Sequence, residues 1–408
     1  MPLHTPAHKG VAGPDELDAL LTSLGLACDL PSMEGTDSPF HPTACLAEAQ
    51  ALAAELWGAA ETFFLVNGST IGIEAAVLAA VRPGEKILMP RHVHLSVHSA
   101  LVLSGARPEY LPTRWIDRAG PVPPTADEVE RCLRRDPEIR AVLATHPTYY
   151  GVAVGVPPLA QACRRAGVPL LVDEAHGAHL RFLPDGAPPS ALDGGADVVV
   201  QSAHKTVGSL GGTALLHRGH GGLIPAARLQ TALNLLQSTS SSYLLMVSLD
   251  LVRRTLWRRG RETFTRAVER ARALRERVEA IGPLSTARPG DHPELGHCAL
   301  DPLRLVVDVG GLGHTGFRVE HLLAREHGVL GEFCDSRTVT YVLGPEDDPE
   351  AYARLERGLR AIAAARTPRA RRAGRGPARA VRIPPMVMIP REAALRPTFP
   401  VPLAQAAG

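Results

Sequence analysis

Apolar residues recur along this chain at two spacings, and each predicts a different element. CLAEAQALAAELWG (45–58) sets its apolar positions three and four apart, which predicts a helix with one buried face. TFFLV (62–66) is a short continuous apolar run and reads as a buried strand. NGST (67–70) is a turn that can open a helix over 71–81. KILMP, RPEYL, AVLAT, PLLVD and DVVVQS follow as short apolar strands separated by stretches of helical character, and GGTALLH (211–217) adds another. Strands alternating with helices imply an α/β fold, a largely parallel sheet covered on both faces. Residues 243–281 read as a long, Arg-rich helical segment. A second α/β unit follows, with strands LRLVVDV (303–309) and TVTYVLG (338–344) and helices over 317–327 and 349–364. The expected organisation is an N-terminal arm (1–45), a large domain (46–282), a small C-terminal α/β domain (283–365), and an Arg/Pro-rich linker and tail (366–408).

Composition narrows the function classes. With 408 residues, 45% of them hydrophobic, the chain can bury a large core. A net charge of +2 argues against nucleic-acid binding by bulk electrostatics. RTPRARRAGRGPARA (366–380) has no interleaved aromatics and reads as a solvated linker. No apolar run approaches the ~18 residues of a membrane span. The start, MPLHTPAHKG, has neither a basic nor an apolar signal region, and the six cysteines lack CxxC spacing. A cytoplasmic protein with no membrane or nucleic-acid partner is expected.

The basic residues carry a sharper signal. Of 44 Lys+Arg, only Lys9, Lys86 and Lys205 are lysines. Arginine replaces lysine wherever charge suffices, but not where an amine must lose its proton. Lys86, in RPGEK before a strand, reads as a surface charge, and Lys9 belongs to the arm. Lys205 directly follows a buried strand, in Ser202-Ala203-His204-Lys205-Thr206. A partly desolvated amine there can lower its pKa and form a Schiff base.

Other strand ends carry matching chemistry. Small residues at Asn67-Gly68-Ser69-Thr70 can present backbone N–H groups and hydroxyls to a phosphate at a helix start. PLLVD ends in Asp173-Glu174-Ala175-His176-Gly177, an acid positioned to point into a cavity. His176 and His179 have no third ligand at compatible spacing, so no metal site is expected. A phosphate cradle, then an acid, then a lysine about 30 residues later is the order required by a pyridoxal 5'-phosphate (PLP) site. Lys205 would hold the cofactor aldehyde and Asp173 would keep the ring nitrogen protonated. Gly68, Ser69, Thr70, Ser202 and His204 would bind the phosphate.

These stretches also resemble a known family. TPAHKG (5–10), ETFFLVNGSTIG (61–72), LMPRHVHLSVHSAL (88–101), VDEAHGAH (172–179), QSAHKTVGSLGG (201–212), STSSSYLLMVSLD (238–250), DPLRLVVDV (301–309) and PREAAL (390–395) are similar to the Orn/Lys/Arg decarboxylases in their short, wing-less bacterial form. The resemblance covers nearly the whole chain. It implies a fold-type I PLP enzyme and α-decarboxylation of a basic amino acid to a di- or polyamine precursor, with arginine favoured over lysine and ornithine. It also implies site roles. His94 would stack on the cofactor ring, Ala175 would pack on the opposite face, His176 would lie near the reacting centre, and Thr148 would meet the phenolic oxygen. SSSY (240–243) would reach the neighbouring subunit's site in a homodimer with shared active sites.

Glu332 and Asp335, in GEFCDS, are the acids expected to meet a side-chain cation. Tyr150 stands where family members often have Asp, and the positions around His92 and Leu95 are not identical to the family's. The family generally continues beyond the equivalent of PLAQAAG (402–408), so loss of activity with a C-terminal segment is one alternative reading. Amino transfer is another, and an arginine from the small domain at the substrate α-carboxylate would favour it.

Overall fold

Neighbouring side chains on the central strands go to different cores, which is why these strands read as continuous apolar runs. The computed structural model describes residue 30 and residues 36–365, 379–381 and 383–402. Lys9 with TPAHKG, most of the 366–380 linker and nearly all of PLAQAAG lie outside the described residues. Seven strands form the main sheet: β1 (Glu61–Leu65), β2 (Lys86–Pro90), β3 (Arg107–Leu111), β4 (Ile139–Thr145), β5 (Leu170–Asp173), β6 (Val198–Gln201) and β7 (Ala214–Arg218). Their spatial order is β1-β7-β6-β5-β4-β2-β3.

Leu88, Val142, Val172 and Val199 face one core, which the helices Cys45–Trp57, Val156–Arg165 and Tyr243–Glu279 cover. Met89, Leu143, Leu171 and Val200 face the other, under the helices Gly68–Ala80, Leu95–Ser104 and Ala226–Leu236. Such period-two alternation between two apolar faces requires helices on both sides of the sheet.

Sequence and structure differ at two places. The sheet is parallel from β6 through β3, but β7 runs antiparallel to both its neighbours, β6 and β1. Residues 202–213 hold the lysine-bearing turn, with no crossover helix, so the chain returns in the opposite direction. Between β3 and β4 the chain first makes a hairpin, Thr113–Ile116 with Gly120–Pro121. Only then does the helix Ala126–Arg135 start, on a Thr125/Glu128 capping box.

The C-terminal unit is an antiparallel sheet of β8 (Ser285–Thr286), β9 (Arg304–Asp308), β10 (Phe333–Cys334) and β11 (Thr338–Val342), in the order β8-β9-β11-β10. Leu305 and Val307 of β9 join the first of the two main cores, which fixes this sheet against the large one. No helix among the described residues is long and apolar enough to cross a membrane.

Buried histidines give this fold an acid-sensitive element. His217 on β7 is fully buried between Thr62 Oγ1 (2.8 Å) and Gln201 Oε1 (3.1 Å), and burial pushes its pKa down to about 3. An unfolded chain binds that proton at ~6.5. Between pH 6.5 and about 3 the unfolded state therefore takes up a proton that the folded state refuses, and stability falls as pH falls. In thermal melts from pH 7 to pH 5, His217→Gln is expected to reduce this slope by about 1 kcal/mol per pH unit on average. Equal slopes in the two proteins would contradict that assignment.

Candidate active site

The carboxyl ends of β4, β5 and β6 open on a cavity of about 500 Å³, and the chemistry-bearing residues converge there. Ser69, His94, Thr148, Asp173, Ala175, His176, Lys205 and Glu332 all line it. Asp173 ends β5, where the chain stops pairing and the side chain is free to turn towards the cavity. It is 5% exposed, and its Oδ1 accepts the Ala175 N–H at 3.1 Å. Burial pushes its carboxyl pKa up, while the Ala175 N–H and the charges of His94 and Lys205 pull it down. No salt bridge to it forms among the described residues. A buried carboxyl in this state fits a cationic partner supplied from outside the chain.

Lys205 lies on the single-turn helix Ala203–Thr206, which β6 feeds directly. Its Nζ is 3.3 Å from His176 Nε2, and desolvation lowers its pKa. His94 caps the helix Leu95–Ser104, with Nδ1 accepting the Ser96 N–H at 3.2 Å. That bond fixes the imidazole at the cavity wall. Ala175 lines the cavity as a small residue on the strand-end turn beside Asp173. Thr148 Oγ1 accepts the Val152 N–H at 3.2 Å, which holds the THPTYY turn closed.

The residues expected to cradle a phosphate differ in how they meet the cavity. Gly68 adopts φ +77° and donates its N–H to the Gly212 carbonyl at 2.6 Å, so that donor is engaged. Asn67 makes no side-chain cap, and the N–H groups of the first turn after Gly68 have no intrahelical acceptor. Ser202 is fully buried and donates to Ser69 Oγ at 2.8 Å, which presents Ser69 to the cavity. Thr70 is exposed and lies outside the cavity wall. The His204 ring is 2.7 Å from the Thr213 carbonyl and braces the lysine turn. Gly72 sets how closely this helix approaches the sheet, since a Cβ there would come within 2.7 Å of Val200 Cγ1.

The two acidic candidates of the C-terminal unit separate. Glu332 lines the cavity. Asp335 does not: it accepts the Tyr150 hydroxyl at 2.7 Å and the backbone N–H groups of Arg337 and Thr338 at 2.7 and 2.6 Å. With three donors on it, Asp335 is a structural anchor for Tyr150. Gly120 lets that ring pack, because it has φ +70° and a Cβ there would sit 2.2 Å from Tyr150 Cδ2.

Of the SSSY segment, the Tyr243 hydroxyl is engaged within its own chain by the backbone of Asp37, donating to its carbonyl at 2.7 Å. His179 bonds to Asp301 Oδ1 at 3.1 Å, away from His176. Lys86 pairs with Asp136 and Glu138, each at 2.7 Å, the surface role expected of it.

Sequence reasoning did not single out four residues here. Tyr149 packs its ring 4.5 Å from that of His176, and Trp115 and Phe333 complete an aromatic wall of the cavity. The fourth, Arg304, is fully buried at the start of β9, with Nη2 3.3 Å from His176 Nδ1. An arginine inside the apolar run LRLVVDV was the available signal.

A sheet of this order, with an acid at the end of one strand and a lysine just past the next, defines the fold-type I class of PLP-dependent enzymes. The chain belongs to the Orn/Lys/Arg decarboxylase family, whose major-domain model matches residues 23–351. It is 33% identical over 407 residues to an arginine decarboxylase of Bacillus subtilis (strain 168), covering 99% of this chain and 83% of that one. An arginine decarboxylase of Halalkalibacterium halodurans is 34% identical over 366 residues, covering 88% of this chain and 73% of its own length. Lysine decarboxylase A from Pseudomonas aeruginosa shares the fold, with a TM-score of 0.76 and 20% identity. The match covers 88% of this chain but spans 57% of that structure's chain.

Proposed function

We propose that this protein is a PLP-dependent α-decarboxylase of a basic amino acid, with arginine as the favoured substrate. The observation that carries the reading is the convergence of Lys205, Asp173 and His94 on one cavity whose lining also includes Glu332 and an aromatic cluster. The residues present fit the cofactor. Lys205 would anchor its aldehyde, Asp173 would pair with the ring nitrogen, and His94 and Ala175 would bound the two ring faces. Ser69, the free N–H groups of the first helical turn and Ser202 behind them would receive the phosphate. Bound PLP supplies an electron sink for the pair released when a bond at the substrate Cα breaks.

The chain's own residues do the rest. Asp173 holds negative charge at the buried end of the site, where low dielectric strengthens its effect. His94 is locked by Ser96 and so holds a fixed wall. Tyr149, Trp115 and Phe333 supply an aromatic wall, and Glu332 is the acid available to a distal cation. A guanidinium suits this wall because it both stacks on aromatic faces and forks onto a carboxylate. Arg304 comes from the C-terminal unit, but it stands behind His176 and does not line the cavity. It therefore does not give amino transfer the carboxylate ligand that reaction would favour.

Incubation of PLP-loaded protein with arginine, lysine and ornithine separately tests this reading. Release of CO₂ with the matching amine supports it, and formation of a keto acid instead would replace it with amino transfer. Glu332→Gln should raise KM for the preferred substrate about tenfold or more with a smaller change in kcat, as loss of a hydrogen bond to a charged group predicts. An unchanged KM would remove Glu332 from substrate recognition.

A further inference from the structure

His176 meets a basic side chain at each of its ring nitrogens. Lys205 Nζ lies 3.3 Å from Nε2, and Arg304 Nη2 lies 3.3 Å from Nδ1. A guanidinium has donors only and stays charged in proteins, so Nδ1 must be the acceptor in the second contact. A neutral imidazole that accepts at Nδ1 carries its proton on Nε2. That N–H can only donate to Lys205, and Lys205 can accept only as the uncharged amine. The direction of both bonds is therefore set from the arginine end.

We infer that Arg304 is a positioning residue that fixes His176 as the Nε2–H tautomer and, through it, holds Lys205 as a free amine facing the cavity. The site is built for this. Arg304 is fully buried, and Gly151 lets the strand carrying it approach: a Cβ on Gly151 would lie 2.5 Å from Arg304 Cβ. The arginine backbone is anchored too, its N–H donating to the Asp301 carbonyl at 3.1 Å and its carbonyl accepting from Arg275 Nη2 at 3.0 Å. Tyr149 covers one face of the His176 ring. Lysine at position 304 would offer a single point donor, whereas the guanidinium is a planar group that cannot give up its charge.

A consequence follows for proton transfer. Burial is the main force against a second proton on the ring, and the Arg304 guanidinium adds to it, as Lys205 and His94 do in their protonated forms; Asp301 favours one but is itself bonded to His179. The His176 pKa therefore lies far below the ordinary imidazole range. His176 is then a fixed hydrogen-bond donor and not an imidazolium acid. Within the decarboxylase reading, on which this step rests, the proton delivered to the substrate Cα does not come from a His176 imidazolium.

The tautomer can be read without cofactor or turnover, by long-range ¹⁵N NMR of apo protein labelled at histidine, with the His176 signals identified by their loss in His176→Gln. The expected spectrum has an unprotonated Nδ1 and a protonated Nε2, unchanged from about pH 5.5 to 8.5. A proton on Nδ1, or a titration within that range, overturns the inference. Arg304→Met removes the donor and should mix the tautomers, whereas Arg304→Lys should keep Nε2 protonated. An Arg304→Met spectrum identical to the wild type also overturns it. If Arg304→Met does not fold, the wild-type and Arg304→Lys spectra still decide. Failure of the decarboxylase reading would appear separately, as absence of CO₂ from the loaded enzyme.

Discussion

Lys205→Ala is expected to yield folded protein that, after incubation with PLP and gel filtration, carries no visible absorption band and decarboxylates no basic amino acid above background. Wild-type protein treated identically should retain a band that borohydride abolishes. Among the described residues, Lys205 is the lysine at the cavity wall, while Lys86 is paired with Asp136 and Glu138. Its amine is partly desolvated, and desolvation lowers its pKa towards the nucleophilic form. Its side chain belongs to neither main core, so the melting temperature should not fall. A Lys205→Ala protein that keeps both colour and turnover would remove the lysine from the mechanism. One that loses both together with its fold would show a structural role instead.

Asp173→Asn is the second large effect. Asparagine preserves the shape of the strand end and can still accept the Ala175 N–H, but it carries no charge. If Asp173 stabilises positive charge on a bound ring, its loss should lower kcat by about 10²–10³ with little change in KM, the size seen when a preorganised electrostatic group is removed from a buried site. Cofactor should still bind through Lys205. Retention of wild-type kcat would mean that the carboxyl is a strand cap and nothing more. The position of Asp173 argues against that outcome, because a carboxyl 5% exposed with one backbone donor is costly to keep for capping alone.

Particular residues show how far the sequence reaches. PLLVD and DVVVQS were legible as strands because each is a short apolar run ending in polar residues, and β5 and β6 occupy them. The same runs placed Asp173 and Lys205 at strand ends, where ligands of α/β sheets bind. The antiparallel return of β7 was not legible, since direction depends on what the connection can span and not on the composition of the strand. Nor was the division between Glu332 and Asp335, which rests on Tyr150 reaching Asp335 across 185 positions of chain. Gly68 and His204 looked like phosphate ligands because small and polar residues at a strand end suggest anion binding. The Gly68 N–H is already engaged by the Gly212 carbonyl, whereas the Thr213 carbonyl takes up only Nδ1 of His204.

By itself, then, the sequence determined the alternating elements and placed an acid at the end of one strand and a lysine just past the next. These are local properties: hydrophobic period, strand-end polarity and residue chemistry each act within a few positions. Only the tertiary structure decided which groups share the cavity and which are engaged elsewhere. The pairing of His176 with Arg304, 128 positions away, is the clearest case. No spacing rule joins a strand-end turn of one sheet to the first residue of a strand in another, because their approach is set by packing of the two sheets through a common core.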